Sequence, residues 1–243
     1  MFNVKDNTQY KDLSQIVEVK KGQTGTGLLI EHDGHIVSQK DTIQQIREDI
    51  ENNHKFVIPD EFIVSAVFQK YGIKNANGRV YPEQILKREV QKYLENQVAN
   101  HSAVGSLDHP SSSSLSGHDV SHTILDLRWE GRTLVGEMKL HLSPGFKKYG
   151  VCSTSGDLVA NMLIDGIRVG VSSRALGSVE NKLGVLMVGD DLELVCWDVV
   201  LEPSTNNAWI AMSERDLQPY IENKEKNDAI INEKIRKIKS ILA

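Results

Sequence analysis

The first strong signal in this chain is a nearly continuous apolar run, Phe62–Phe68 (FIVSAVF), which predicts a buried strand. Upstream of it, residues 1–55 are polar and weakly periodic. Gly22, Gly25, Gly27 and the His32–Gly34 segment read as turns there, and Thr42–Asn52 offers a short amphipathic helix. Downstream, the run ends in YGIKNANGRVYP, where Asn75, Asn77 and Gly78 supply turn chemistry. Pro82 suits the first turn of a helix. Ile85, Leu86, Val90, Tyr93, Leu94 and Val98 then recur at helical spacing, which predicts a helix over Glu83–Val98.

A loop of small residues follows, Gly105–Gly117 (GSLDHPSSSSLSG), whose four consecutive serines read as solvated chain. Val120–Trp129 and Thr133–Leu142 predict two strands joined by a turn at Glu130-Gly131-Arg132, with Leu134, Met138, Leu140 and Leu142 on one apolar side. A short helix is expected over Gly156–Ile164, ended by Gly166. Further strands are expected at Ile167–Leu176, Val185–Val188 and Leu192–Leu201. The tail from Ser213 to Ala243 carries seven basic and six acidic residues, and Ile231, Ile235, Ile238 and Leu242 form a narrow helical stripe. The pattern therefore predicts a strand-heavy α+β domain with polar extensions at both ends.

Composition narrows the class without naming a chemistry. The 243 residues are 40% hydrophobic and 25% charged, with a net charge of −5 that resides in residues 1–212 rather than in the tail. This is enough chain for a substantial core. The charges are dispersed, so they give no general case for a nucleic-acid partner. No stretch approaches the ~20 apolar residues of a membrane helix, and MFNVKDNTQYKD lacks the apolar segment of a secretory signal. Cys152 and Cys196 are too few for a disulfide framework and form no CxxC, which fits a reducing compartment and disfavours thiolate zinc.

Three segments could carry chemistry. In Leu107-Asp108-His109-Pro110, a histidine on a turn after a helix is the residue type that serves as a general base. In Gly170–Gly177 (GVSSRALG), a serine on an apolar strand would be held stiffly, as a nucleophile must be. Neighbouring N–H groups could face an oxyanion. The segment lacks the G-x-S-x-G elbow, which disfavours an α/β-hydrolase. In Cys196-Trp197-Asp198-Val199-Val200, a carboxylate on an apolar strand demands a partner, either in a structural ion pair or as the third member of a Ser-His-acid system.

In combination these segments resemble the prohead core proteases of tailed bacteriophages, serine peptidases that digest the internal scaffold and are distant relatives of the herpesvirus assembly proteases. The motifs follow in family order over about residues 58–212: NANGRVYP, GSLDHP, GVSSRALG and WDVVLEPSTNNAWI. Ser106 stands where the family pattern has glutamate. The resemblance implies His109 as general base, Ser172 as nucleophile with Ser173 as runner-up, and Asp198 as third member. Ser173 and Arg174 are the oxyanion or substrate candidates, with a structural ion pair equally open for Arg174. It implies a herpesvirus-protease-like β-barrel surrounded by helices, built as an N-terminal extension (1–57), a protease domain (58–212) and a charged tail (213–243). It also implies scaffold and capsid precursors as substrates, self-cleavage, and action in the host cytoplasm inside the assembling prohead. No cofactor, metal, membrane or specific nucleic acid enters, and a homo-oligomer is left open.

Two other classes compete. His101, His109, His118 and His122 supply raw material for a metal hydrolase, but Gly117 and the alternation over Val120–Leu127 place His118 and His122 on a loop and strand rather than one helical face. His122 could alternatively support the site from behind or be simply a polar strand residue. A non-enzymatic capsid assembly or scaffold component would suit the acidic balance and the helical tail.

Overall fold

The computed structural model describes residues 16–37, 40–53, 58–109 and 115–201. The expectations for the four serines and for everything after Leu201, including the tail helix, lie outside the described residues.

Among the described residues there are nine strands and four α-helices. In chain order they are β1 (Gly25–Val37), α1 (Lys40–Asn53), β2 (Ile63–Lys70), β3 (Arg79–Val80), α2 (Glu83–Tyr93), β4 (Val104–Ser106), β5 (Val120–Glu130) and β6 (Thr133–Leu140). There follow α3 (Pro144–Tyr149), α4 (Ser155–Ile164), β7 (Gly170–Lys182), β8 (Val185–Val188) and β9 (Glu193–Val200). The strand-rich α+β class is as expected. The predicted helix over Glu83–Val98 is α2 plus a π-helical last turn, Leu94–Val98. Thr154 and Asp157 form a reciprocal capping box at α4, and Gly166 follows its end with φ of 78°. The small helix α3 was not expected; its signals are the Ser143 cap, Pro144 in the first turn and Gly150 at φ 69°.

The strands join one sheet in the order β3-β8-β7-β1-β2-β6-β5-β4, with β9 against the first half of β7. The sheet curls into a half-barrel, and its two ends are stitched at one point. Leu107, just past β4, forms a parallel bridge to Val199 of β9, and the Asp108 N–H donates to the Val199 carbonyl at 2.8 Å. Trp197 of β9 lies fully buried, edge-on to Phe68 of β2 at 5.4 Å and to Tyr93 of α2 at 5.0 Å. That aromatic trio ties sheet and helix together.

One expectation is corrected by the sheet. Gly25, Gly27 and His32–Gly34 are not turns; they belong to β1, a 13-residue strand between β2 and β7. The sheet therefore begins well before residue 58. At Gly27 the reason is a close backbone crossing: Val17 and Val19, ahead of β1, hydrogen-bond with Leu28, and a Cβ on Gly27 would lie 2.1 Å from the Val17 carbonyl oxygen. Glycine here makes room for a neighbour and does not bend the chain.

Gly105 plays the same part where the sheet ends meet. A Cβ there would lie 2.0 Å from the Trp197 carbonyl oxygen and 2.6 Å from the His122 ring. Gly105→Ala is therefore expected to push β4 off β9 and to cost about 3 kcal/mol, the upper end for overpacking. Urea denaturation of both chains measures it; an unchanged midpoint would refute the tight closure.

Candidate active site

The register between β7 and β9 brings the candidates together. Ser172 pairs with Asp198, Ser173 with Trp197, and Arg174 with Cys196. Because side chains alternate across a strand, Ser172, Arg174, Asp198 and Cys196 share one face, and Ser173 points with Trp197 to the other. Adjacent serines in the sequence thus have unlike surroundings.

His109 reaches this face from the loop after β4. Asp108 adopts a left-handed conformation, φ 62°, while its N–H is held by Val199. Aspartate and asparagine tolerate that conformation better than most residues. The turn aims the imidazole between the two strands. Its Nδ1–H donates to Asp198 Oδ2 at 2.9 Å, and its Nε2 accepts from the Ser172 hydroxyl at 2.6 Å. Three residues far apart in the chain form a continuous acid–imidazole–hydroxyl line.

Asp198 is fully buried and surrounded by donors. Oδ1 accepts from the Ser106 backbone N–H at 2.9 Å, and the Cys196 thiol lies 3.6 Å away. Arg174, also fully buried, places Nε 2.5 Å from Oδ2 and Nη2 3.1 Å from Oδ1. Burial alone would push the carboxyl upward; the bond to His109, the Arg174 guanidinium and the Ser106 N–H outweigh it and hold the group below its ordinary range. The carboxylate is ionised at neutral pH. Burial and the Asp198 charge push the Cys196 thiol upward, so it stays protonated as a weak donor.

Arg174 forms an ion pair with Asp198, one of the two roles left open for it by the sequence. Ser173 and Arg174 are paired in register on both sides of β7, with Glu31 and Ile30 of β1 and with Trp197 and Cys196 of β9. Ser106, the departure from the family pattern, contributes through its backbone, so its side-chain identity leaves the contact to Asp198 intact.

The metal reading finds no support in the placement of the histidines. His101 and His118 are exposed and His122 is buried in β5, and among the described residues no three His, Cys, Asp or Glu side chains could hold a metal ion. A cavity of about 810 Å³ lies at the end of β6, lined by Lys139, His141, Ser143, Lys147 and Thr154 among others, and includes none of the three aligned residues.

A model of the prohead core protein serine protease family matches residues 25–216. The chain belongs to this family. It is 30% identical over 153 residues to the prohead core protein protease of Enterobacteria phage T4, covering 62% of this chain and 68% of that protein. Its fold is similar to that of the bacteriophage T4 capsid assembly protease, with a TM-score of 0.58 at 24% identity, covering 73% of this chain and 99% of that one. The chain is thus a phage capsid-maturation protease. The family match begins where β1 begins, in agreement with the place of that strand in the sheet.

In this prohead protease His122 is packed where β4 closes on β9. Its ring is fully buried, shares a hydrogen bond with Ser121 Oγ at 2.9 Å and faces the Trp197 carbonyl beside Gly105. Burial lowers its titration to about 4 against the opposing pull of Asp198. Between that pH and about 6.5 the unfolded chain binds a proton that the folded chain refuses, so stability rises with pH across the window, by about 3 kcal/mol in total. The Asp198 contribution has a separate window: it is present above the unfolded value, about 3.9, and is lost as pH falls through the lower folded value. Denaturant midpoints between about pH 4.5 and 7 should fall steeply with acid in the natural chain and much less in His122→Gln. Equal slopes would remove His122 as the source.

Proposed function

We propose that this protease is a serine endopeptidase in which Ser172 is the nucleophile, His109 the general base and acid, and Asp198 the third member. The line from Asp198 Oδ2 through His109 to Ser172 Oγ, at 2.9 and 2.6 Å, carries the proposal. An ionised Asp198 keeps the proton on Nδ1 and leaves Nε2 free to take the Ser172 proton as Oγ attacks the scissile carbonyl. The imidazolium so formed then protonates the departing amine, and water attacks the acyl-enzyme by the same route in reverse. Arg174 and the Ser106 N–H act through Asp198 as positioning groups. Backbone N–H groups near Ser172–Arg174 are the proposed donors to the oxyanion.

The catalytic unit in this reading extends the 58–212 assignment back to Gly25, because β1 is an interior strand. The curled, end-stitched sheet flanked by helices favours a herpesvirus-protease-like barrel. Scaffold, core and capsid precursor proteins are the proposed substrates, together with the protease itself, cut inside the prohead in the host cytoplasm.

A fluorophosphonate probe and co-expression with the cognate scaffold test the assignment. Ser172→Ala should abolish both labelling and scaffold cleavage, while Ser173→Ala, on the other face, should still label. Asp198→Asn should lower kcat on the order of 10⁴-fold, as loss of the orienting acid does in other triads. Cleavage that survives Ser172→Ala but is lost to a chelator would refute the serine mechanism.

A further inference from the structure

The segment NANGRVYP carries none of the three aligned residues, yet four of its side chains converge on one buried carboxylate. Glu31 of β1 is 1% exposed. Its Oε1 accepts from Arg79 Nη1 at 2.6 Å and from the Tyr81 hydroxyl at 2.8 Å. Its Oε2 accepts from Asn75 Nδ2 and Asn77 Nδ2, both at 2.7 Å. Asn77 Nδ2 also donates to the Ile30 carbonyl at 2.8 Å, and Arg79 Nη2 donates to the Val19 carbonyl. The turn that presents these side chains is itself held by local bonds. Asn75 Oδ1 accepts the N–H groups of Asn77 and Arg79, and Gly78 supplies φ of 84°.

The hub sits beside the nucleophile strand. Glu31 and Ile30 are the register partners of Ser173 and Arg174. Immediately after Glu31 the β1–β7 register slips: residues 32 and 33 of β1 face the single residue Ser172 of β7, because Glu31 pairs with Ser173 and Gly34 with Val171. A bulge re-aims the strand it touches and needs fixed flanks to hold one geometry. Here the flank on one side is gripped by four side chains and a backbone contact.

We propose that Glu31, held by Asn75, Asn77, Arg79 and Tyr81, is a positioning residue that sets the β1 bulge and through it the orientation of Ser172. The proposal rests on the assignment of Ser172 as nucleophile. It accounts for a buried, fully hydrogen-bonded carboxylate next to the site that touches neither His109 nor Asp198.

The test is the second-order rate of fluorophosphonate labelling in the full chain, which reads nucleophile geometry without a protein substrate. Asn77→Ala removes the contacts to Ile30 and Glu31 and leaves the Arg79–Glu31 pair. It should slow labelling on the order of ten- to a hundredfold, the scale of a small misplacement of a reacting group. The pH midpoint of labelling should stay where it is in the natural chain, because the His109–Asp198 contact is untouched. Phe146→Ala, a buried truncation at α3 remote from β1, serves as the control for stability loss and should label at the natural rate when folded. Should Asn77→Ala fail to fold, Tyr81→Phe deletes one hydrogen bond to Glu31 and should show a smaller slowing under the same conditions. A folded Asn77→Ala or Tyr81→Phe that labels at the natural rate overturns the positioning role alone. Labelling that persists in Ser172→Ala overturns the nucleophile assignment and the positioning role with it.

Discussion

A carboxylate removed from water has to be met by donors, and Asp198 is met by groups from separate parts of the chain: the Ser106 backbone in β4, His109 after β4, Arg174 in β7 and Cys196 on its own strand. Each donor is in place only if a particular piece of the fold is in place. The Ser106 N–H needs β4 closed on β9, which needs glycine at 105. His109 needs the left-handed turn at Asp108. Arg174 needs the β7–β9 register, since a one-residue slip would turn Arg174 to the opposite face and set Trp197 against Ser172. The site is therefore not an ornament on a finished sheet; closing the half-barrel and satisfying Asp198 are the same event.

The strands that were legible from the sequence are those with a clean pattern. Val120–Trp129 and Thr133–Leu142 alternate, and Val185–Val188 and Leu192–Leu201 are apolar and bounded by turns; all four appear close to their expected limits. β1 was not legible, because its glycines read as turns, whereas Gly27 is there to let Val17 cross at close range. The opposite facing of Ser172 and Ser173 follows from strand alternation alone, so that distinction was available once the segment was placed on a strand. The Asp198–Arg174 pair was only half legible. Apolar neighbours showed that Asp198 needed a partner, but which cation supplied it depended on a cross-strand register between residues 24 apart.

Arg174 changes the electrostatics of the aligned residues. A buried carboxylate facing histidine alone would lend its whole charge to the imidazolium of the proposed proton transfer. Here two guanidinium N–H groups share that carboxylate, and their charge offsets part of its field at His109. In return the pair keeps Asp198 ionised in a position where burial works against it. The arrangement favours a carboxylate that is always present as an acceptor and fixed in direction over one that stabilises the imidazolium most strongly.

Glu31 repeats this solution one residue along. Ser172 lies opposite Asp198 on one side of β7, and its neighbour Ser173 lies opposite Glu31 on the other; each carboxylate is buried and each has its own arginine, Arg174 or Arg79. Buried ion pairs of this kind are weak sources of net stability, because well-packed apolar groups of similar volume often do as well. What they supply is intolerance of misplacement, since a displaced partner leaves a buried charge unmet. Two such pairs flanking one strand argue that the property being protected is the register of β7, and the residue on that strand on which the proposed mechanism depends most is Ser172.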